Sequence, residues 1–199
     1  MEGHKMPMVR LPFPDAEVYF EPHFFTEEES DLYFKELMGE VNWQQESIKM
    51  FGKELPMPRL TAWYGDKGYT YSGLHNKPQP WLPVLLQLKE KVEQASGHTY
   101  NSVLLNLYRS GQDSMGWHSD DEAALGQEPS IASLNFGGER KFSFKHKYRK
   151  DTKPQSINLS HGSLLLMQGP TQHYWLHHVP KTARAVEPRI NLTFRKVVR

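Results

Sequence analysis

The chain contains no cysteine. That excludes a disulfide framework and a thiolate zinc site, and it fits a reducing compartment. Long apolar runs are also missing: no uninterrupted stretch approaches the roughly 20 residues of a membrane span. The opening residues, Met1-Glu2-Gly3-His4-Lys5-Met6-Pro7, lack the apolar core of a secretory signal. An intracellular protein with no membrane contact, in cytoplasm or nucleus, is expected. Neither sign of charge is in excess. With 24 Lys and Arg against 23 Asp and Glu, the formal net charge is +1, so a polyanionic partner would need a local basic patch. One basic run qualifies, from Lys141 to Lys153, with Lys145, His146, Lys147, Arg149 and Lys150 between; its bland reading is a solvated loop. What remains is 199 residues, enough for one domain with a substantial core.

Residues 1 to 16 are rich in Pro and Met without a clear period and read as an extended arm. Glu17 to Phe20 suits a first strand. Thr26 followed by Glu29 is a capping-box pattern that opens a helix, and Phe34, Leu37, Met38 and Val41 then give it one apolar stripe. Pro78, Pro80 and Pro83 lead into a second helix with Leu85, Leu88, Val92 and Ala95 on its buried face and Gly97 at its end. Between the helices, Trp43 to Lys53 reads as two strand pieces with a tight turn at Gly52, followed by a strand over Arg59 to Tyr64. Tyr69-Thr70-Tyr71 alternates, with both tyrosines on one face.

From Ser102 onward the chain consists of short strands bounded by Gly and Pro: Val103 to Tyr108, Ser130 to Phe136, Lys141 to His146, Ser163 to Met167, Tyr174 to Val179, and Arg189 to Val198. This texture predicts an α+β, mainly β fold. Its core is a double-stranded β-helix (jelly-roll), with two N-terminal supporting helices. No repeat and no long linker divides residues 1–199, so a single domain and a monomer are expected.

The chemistry is concentrated in three segments. In Trp117-His118-Ser119-Asp120-Asp121-Glu122, an imidazole and a carboxylate stand two residues apart, on one face if the segment is extended. A further His would complete a two-His, one-carboxylate set with open positions opposite, which suits non-haem Fe(II) and oxygen. Tyr174-Trp175-Leu176-His177-His178-Val179-Pro180 supplies it; strand parity lets one of the two histidines point inward. In Arg189-Ile190-Asn191-Leu192-Thr193-Phe194-Arg195, parity puts two guanidinium groups and an amide on one face and the apolar residues on the other. Such a polar face is costly to bury without an anion. The economical reading is a dicarboxylate held by paired, charge-assisted hydrogen bonds beside the iron.

His-x-Asp, a distant His and Arg-x-Asn-x-x-x-Arg together resemble the AlkB family of Fe(II)- and 2-oxoglutarate-dependent dioxygenases. Asn106-Leu107-Tyr108 matches that family's Asn-x-Tyr, and the resemblance runs from about Pro58 to the C-terminus. It selects His177 over His178, because family members show Trp-x-His-x-Val-Pro. It implies His118, Asp120 and His177 as catalytic metal ligands. It also implies a 2-oxoglutarate site of Asn106, Tyr108, Arg189, Asn191 and Arg195, with Arg189 and Tyr108 on the distal carboxylate. Residues 1–100 would form a nucleotide-recognition lid and the supporting helices, and residues 101–199 the catalytic core.

The implied activity is oxidative demethylation of N-alkylated bases such as 1-methyladenine and 3-methylcytosine in DNA, releasing formaldehyde and succinate. The base would be flipped into the pocket, against Tyr71 and His118, with Tyr69 and Glu122 as further contacts. Met50-Phe51-Gly52-Lys53 resembles the hairpin finger of duplex-repairing members, so Phe51 is expected to wedge into the stack and duplex DNA to be preferred over single strands. The same chemistry on RNA or a protein side chain, a zinc protein, and an iron-free binding module are the alternatives; the last two have no need of a dicarboxylate clamp.

Overall fold

The computed structural model describes residues 8–50, 53–71, 74–76 and 78–198, with the backbone alone for 48–50, 53, 69–71 and 74–76. In chain order the elements are β1 (Val9–Arg10), β2 (Glu17–Glu21), α1 (Glu27–Glu40), β3 (Ser47–Met50), β4 (Lys53–Pro56), β5 (Leu60–Gly65), β6 (Tyr69–Tyr71), β7 (Leu74–Asn76) and α2 (Pro83–Ser96). They continue with β8 (Ser102–Tyr108), β9 (Met115–His118), β10 (Ile131–Gly137), β11 (Arg140–His146), β12 (Gln155–Leu159), β13 (Ser163–Gln168), α3 (Thr171–Tyr174), β14 (Trp175–Val179) and β15 (Arg189–Arg195). A seven-stranded sheet has the order β1-β2-β13-β10-β15-β8-β5, and a four-stranded sheet the order β12-β11-β14-β9. The ladders of both sheets are antiparallel. Two such sheets packed face to face make the jelly roll. The hairpins β3–β4 and β6–β7 stand apart from them.

The larger sheet is covered on both faces, which is why its central strands read as continuous apolar runs. Along β8, Val103, Leu105 and Leu107 turn toward the helices, while Leu104 and Tyr108 turn toward the smaller sheet. On β13, Leu164 and Leu166 divide from Leu165 and Met167 in the same way. Ile190, Leu192 and Phe194 of β15 join the helix-side core with Leu37, Leu85, Leu88 and Val92. Every residue of β8 and β15 is buried, so the polar residues between their apolar ones point into the space between the sheets.

Both supporting helices form where expected. Thr26 caps α1 in a reciprocal box: the Glu29 amide donates to Thr26 Oγ1 (3.2 Å) and the Thr26 amide to Glu29 Oε2 (3.0 Å). Its apolar stripe differs from expectation. Met38 is 39% exposed, while Ser30 and Leu37 are buried. The buried line is rotated toward Ser30, whose small side chain fits against Gly162 (φ +74), where a Cβ would strike Ser30 Oγ. On α2, Gly97 takes the left-handed C-cap conformation (φ 75).

Two further expectations change. Tyr174 belongs to α3 and not to the following strand. The described part of the N-terminal arm, residues 8–16, is docked rather than merely extended. β1 pairs with β2, Phe13 stacks on Trp175 (5.2 Å between centroids) and meets Phe144 edge-on, and the Trp175 indole donates to Pro14 O (2.8 Å). Asp15 then pairs with Arg149 (3.0 Å). Phe51 lies outside the described residues; Met50 and Lys53 are register partners on either side of it. No helix among the described residues is long and apolar enough to cross a membrane.

If the arm contributes to the core, Phe13→Ala should lower the unfolding free energy by about 2 kcal/mol, less than truncation of a fully buried aromatic costs, because Phe13 is half-buried. Chemical denaturation measures this, and an unchanged midpoint would return the arm to a passive tail.

Candidate metal centre and anion pocket

β9 and β14 pair with His118 directly opposite His177, and the two rings lie 4.3 Å apart at 70°. Strand β9 ends at His118, so parity does not place Asp120; loop contacts do. The Asp120 amide donates to Gln172 Oε1 (2.9 Å), and Arg195 donates to Asp120 Oδ1 from Nε (3.2 Å) and Nη2 (2.7 Å). Potential ligand atoms of His118, Asp120 and His177 all lie within 4.8 Å of one another. The structure therefore brings together the three residues expected to hold a metal. His178 points to the other side of the strand, stacked on Trp117 at 3.7 Å.

The electrostatics fit a donor set. Burial pushes the His177 pKa down to about 3, with His118 and Arg195 acting the same way against Asp120. Burial also lowers that of His118, again against the pull of Asp120. For Asp120, burial raises the pKa, but Arg195 and the two histidines outweigh it and hold the carboxyl at about 2. The 3.7 Å approach of His177 Nε2 to Asp120 Oδ2 is thus a convergence of a neutral imidazole and a carboxylate, not an ion pair. His118 Nδ1 lies 2.9 Å from Gly116 O. A carbonyl only accepts, so the proton sits on Nδ1 and Nε2 is left with a free lone pair.

Beside this centre, Arg189 is 1% exposed. Its Nη2 donates to Asn135 Oδ1 (2.5 Å), and its guanidinium lies over the Tyr108 ring at 5.0 Å. Nε and Nη1 are buried with no hydrogen-bond partner, and no carboxylate pairs with Arg189 among the described residues. Burial lowers its pKa to about 10. A guanidinium in this condition is unstable unless an anion meets the unspent donors.

The pocket is lined by Asn106, Tyr108, His118, Asp120, His177, Arg189, Asn191 and Arg195, all expected there, and by Leu104, Met115, Ser133, Phe142, Met167, Val179 and Thr193. Two of the expected anion contacts are engaged within the protein. Asn191 Nδ2 donates to Ser133 Oγ (2.7 Å) and Leu134 O (3.1 Å), and Thr193 Oγ1 donates to Asn191 Oδ1 (3.0 Å). Arg195 is turned to Asp120. Glu122 is half-buried at the start of the 3-10 turn Ala123–Leu125 and does not line the pocket. For Tyr69 and Tyr71 the described part is the backbone of β6.

Sequence reasoning missed the residues that hold these groups. Gln172 is fully buried behind Asp120. Arg59, 5% exposed, donates from Nε to Asn106 Oδ1 (2.7 Å), which leaves the Asn106 amide nitrogen as the available end. Asn135 fixes Arg189. None carries a local motif; they become visible when the strands are assembled.

The sequence matches the 2OG-Fe(II) oxygenase superfamily over residues 17–195. It is 46% identical over 184 residues to "Alpha-ketoglutarate-dependent dioxygenase alkB homolog 3" of Bos taurus, covering 88% of this chain and 64% of that protein. It is 42% identical over 185 residues to "DNA oxidative demethylase ALKBH2" of Mus musculus, covering 87% of this chain and 77% of that protein. The chain thus spans just under two thirds of the length of the homolog 3 relative. The solved structure of OsALKBH1 superposes with a TM-score of 0.68 at 18% identity, over 96% of this chain and 100% of that one, which supports the fold.

The buried neutral imidazoles predict the pH response of the metal-free protein. An unfolded His titrates near 6.5 and folded His177 near 3, so between these values the unfolded state binds a proton that the folded state refuses. Stability should therefore fall as pH drops through that window, by up to about 1.4 kcal/mol per pH unit for each such imidazole. Asp120, depressed below 3.8, adds a loss in the same direction at lower pH. Urea unfolding with a chelator present should show a shallower pH slope in His177→Gln; an unchanged slope contradicts the assignment.

Proposed function

The chain belongs to the 2OG-Fe(II) oxygenase superfamily and, within it, to the AlkB homologues, and on that premise we propose that it is an Fe(II)- and 2-oxoglutarate-dependent dioxygenase that demethylates N-alkylated bases in DNA. The observation that carries this reading is Arg189, a buried cation with unspent donors, opening into the same pocket as two neutral histidines and a carboxylate. A zinc site or an iron-free module has no use for the first of these features.

His118, Asp120 and His177 would hold Fe(II), leaving positions for the 2-oxo acid and for O₂. When bound, the metal with 2-oxoglutarate supplies the oxidation of an N-methyl group to hydroxymethyl, which leaves as formaldehyde, with succinate and CO₂ as the other products. The protein's own contribution is placement and exclusion of water. Arg189 and Tyr108 take the distal carboxylate. Asn106, its amide oriented by Arg59, stands toward the metal-binding end, and Asn191 shapes that end from within its own hydrogen bonds. Arg195 and Gln172 keep Asp120 in place and ionised. Leu104, Met115, Phe142, Met167 and Val179 keep the walls apolar.

The substrate assignment draws on the mouse relative described as a DNA oxidative demethylase and on the surface beside the site. The basic run is not a single loop. Its first part is β11, where Lys141 and Lys145 are exposed without acidic partners among the described residues, whereas Lys147 pairs with Asp121 and Arg149 with Asp15. The exposed lysines and Trp117, 42% exposed on β9 in the same sheet, beyond β14, suit a phosphate backbone and an unpaired base. We assign 1-methyladenine and 3-methylcytosine as substrates, flipped toward His118 and Tyr71, with Tyr69 and Glu122 at the rim. Residues 1–100 then serve as lid and brace around a monomeric catalytic unit.

Formaldehyde release from methylated DNA and RNA oligonucleotides, single- and double-stranded, tests this reading. Turnover should require Fe(II) and 2-oxoglutarate, vanish in His177→Ala and persist in His178→Ala. The reverse pattern would overturn the ligand assignment, and release from RNA alone would overturn the substrate. The duplex preference rests on Phe51. If it is a wedge, Phe51→Ala should reduce activity on duplex far more than on single strands at unchanged thermal stability; equal losses would remove that preference.

A further inference from the structure

Arg140 opens β11, is 3% exposed and forms no salt bridge with a carboxylate among the described residues. Its hydrogen bonds go to three backbone carbonyls: Nη1 donates to Ser110 O (3.1 Å), and Nη2 to Asp113 O (2.9 Å) and Pro180 O (2.7 Å). The nearby Asp113 carboxylate is engaged by Arg109, whose Nε and Nη2 donate at 2.7 and 2.9 Å. The Arg140 guanidinium also lies over the Tyr108 ring at 5.6 Å, the same ring that carries Arg189 at 5.0 Å.

The three carbonyls mark where the metal-ligand strands are rooted. Ser110 and Asp113 precede β9, which carries His118, and Pro180 follows β14, which carries His177. These strands pair at His118 with His177 and at Met115 with Val179, with a register shift between the two pairs. Arg140 ties both strands together at the irregular end of that ladder. Three carbonyls could be bridged by a neutral amide and a water at lower desolvation cost. A buried, permanently charged guanidinium next to a second one has to be explained by its charge.

We propose that Arg140 is a positioning residue for the cosubstrate: it seats the Tyr108 ring and supplies a second positive charge felt by the distal carboxylate of 2-oxoglutarate, without touching it. As like charges over one aromatic ring, Arg140 and Arg189 repel each other. A distal carboxylate relieves that repulsion, and a 2-oxo acid with a neutral distal end does not. The pocket thereby selects a dicarboxylate by charge as well as by length. This inference rests on the 2-oxoglutarate reading of the pocket.

The test uses the whole protein loaded with Mn(II), calorimetry and two probes of equal chain length, 2-oxoglutarate and 2-oxopentanoate. Arg140→Met should weaken 2-oxoglutarate binding by about tenfold and leave 2-oxopentanoate and Mn(II) binding nearly unchanged. Arg140→Lys should recover most of the loss. In turnover with Fe(II), the KM for 2-oxoglutarate should rise more than kcat falls. Equal weakening of both probes, no weakening of either, or a Lys variant as weak as the Met variant would overturn the proposal and leave Arg140 a cross-tie. If Arg140→Met does not fold, Arg140→Gln removes the charge while keeping a donor for the carbonyls, and the two-probe comparison decides on it in the same way. A wild-type protein that binds neither probe would overturn the cosubstrate reading itself, an outcome distinct from wild-type binding that Arg140 substitutions leave untouched.

Discussion

A buried guanidinium, two of whose nitrogens meet no hydrogen-bond partner among the described residues, is the constraint around which this molecule is arranged. Arg189 has no counter-ion among the described residues, and a group in that state costs several kcal/mol to keep out of water. The fold holds it by over-determining its strand. β15 is an interior strand of the seven-stranded sheet, between β10 and β8, with seven register pairs to β8. Ile190, Leu192 and Phe194, all fully buried, anchor its other face against the helix-side core. Slipping the register by one residue would put three apolar side chains into the polar pocket and four polar ones under the helices. The register therefore fixes Arg189 in the pocket.

The neighbouring centre follows the same logic with the signs exchanged. His177 is buried deeply enough to stay neutral, half-buried His118 is shifted in the same direction, and one carboxylate is kept ionised by a buried arginine. Arg195 and Arg189 leave the same face of β15 six residues apart, one serving the carboxylate and the other facing the anion end. A single strand thus couples the two halves of the site, and the pairing of β9 with β14 brings the histidines to meet it. Leu104, Met115, Phe142, Met167 and Val179 supply the apolar part of the walls.

Much of this was legible in the sequence because it obeys period-2 alternation. Alternation in 189–195 separates core from pocket without reference to any other residue, and it tells His177 from His178 once one of them is known to point inward. The α1 capping box and Gly97 are equally local. Asp120 shows the limit: it reaches the site although β9 ends at His118, because Gln172 and Arg195 place it from elsewhere in the chain. Arg59, Asn135, Gln172 and Arg140 were not legible for the same reason, since their roles exist only in the assembled sheets. Met38 faced solvent against expectation because Ser30, a poor core residue by composition, fits the narrow space beside Gly162. Phe13 was hidden in a segment without periodicity, and its role is set by the Trp175 ring more than 160 positions away.

The chemistry of the site turns on what meets Arg189. Calorimetric titration of 2-oxoglutarate into Mn(II)-loaded wild type and Arg189→Met tests it most directly, because no turnover is needed and the metal site is left intact. Loss of a charged partner to a desolvated carboxylate costs about 2–5 kcal/mol, so the dissociation constant should rise by at least about thirtyfold while Mn(II) affinity holds. Unchanged 2-oxoglutarate binding in Arg189→Met would contradict the account, because the buried cation would then have no anion to explain it.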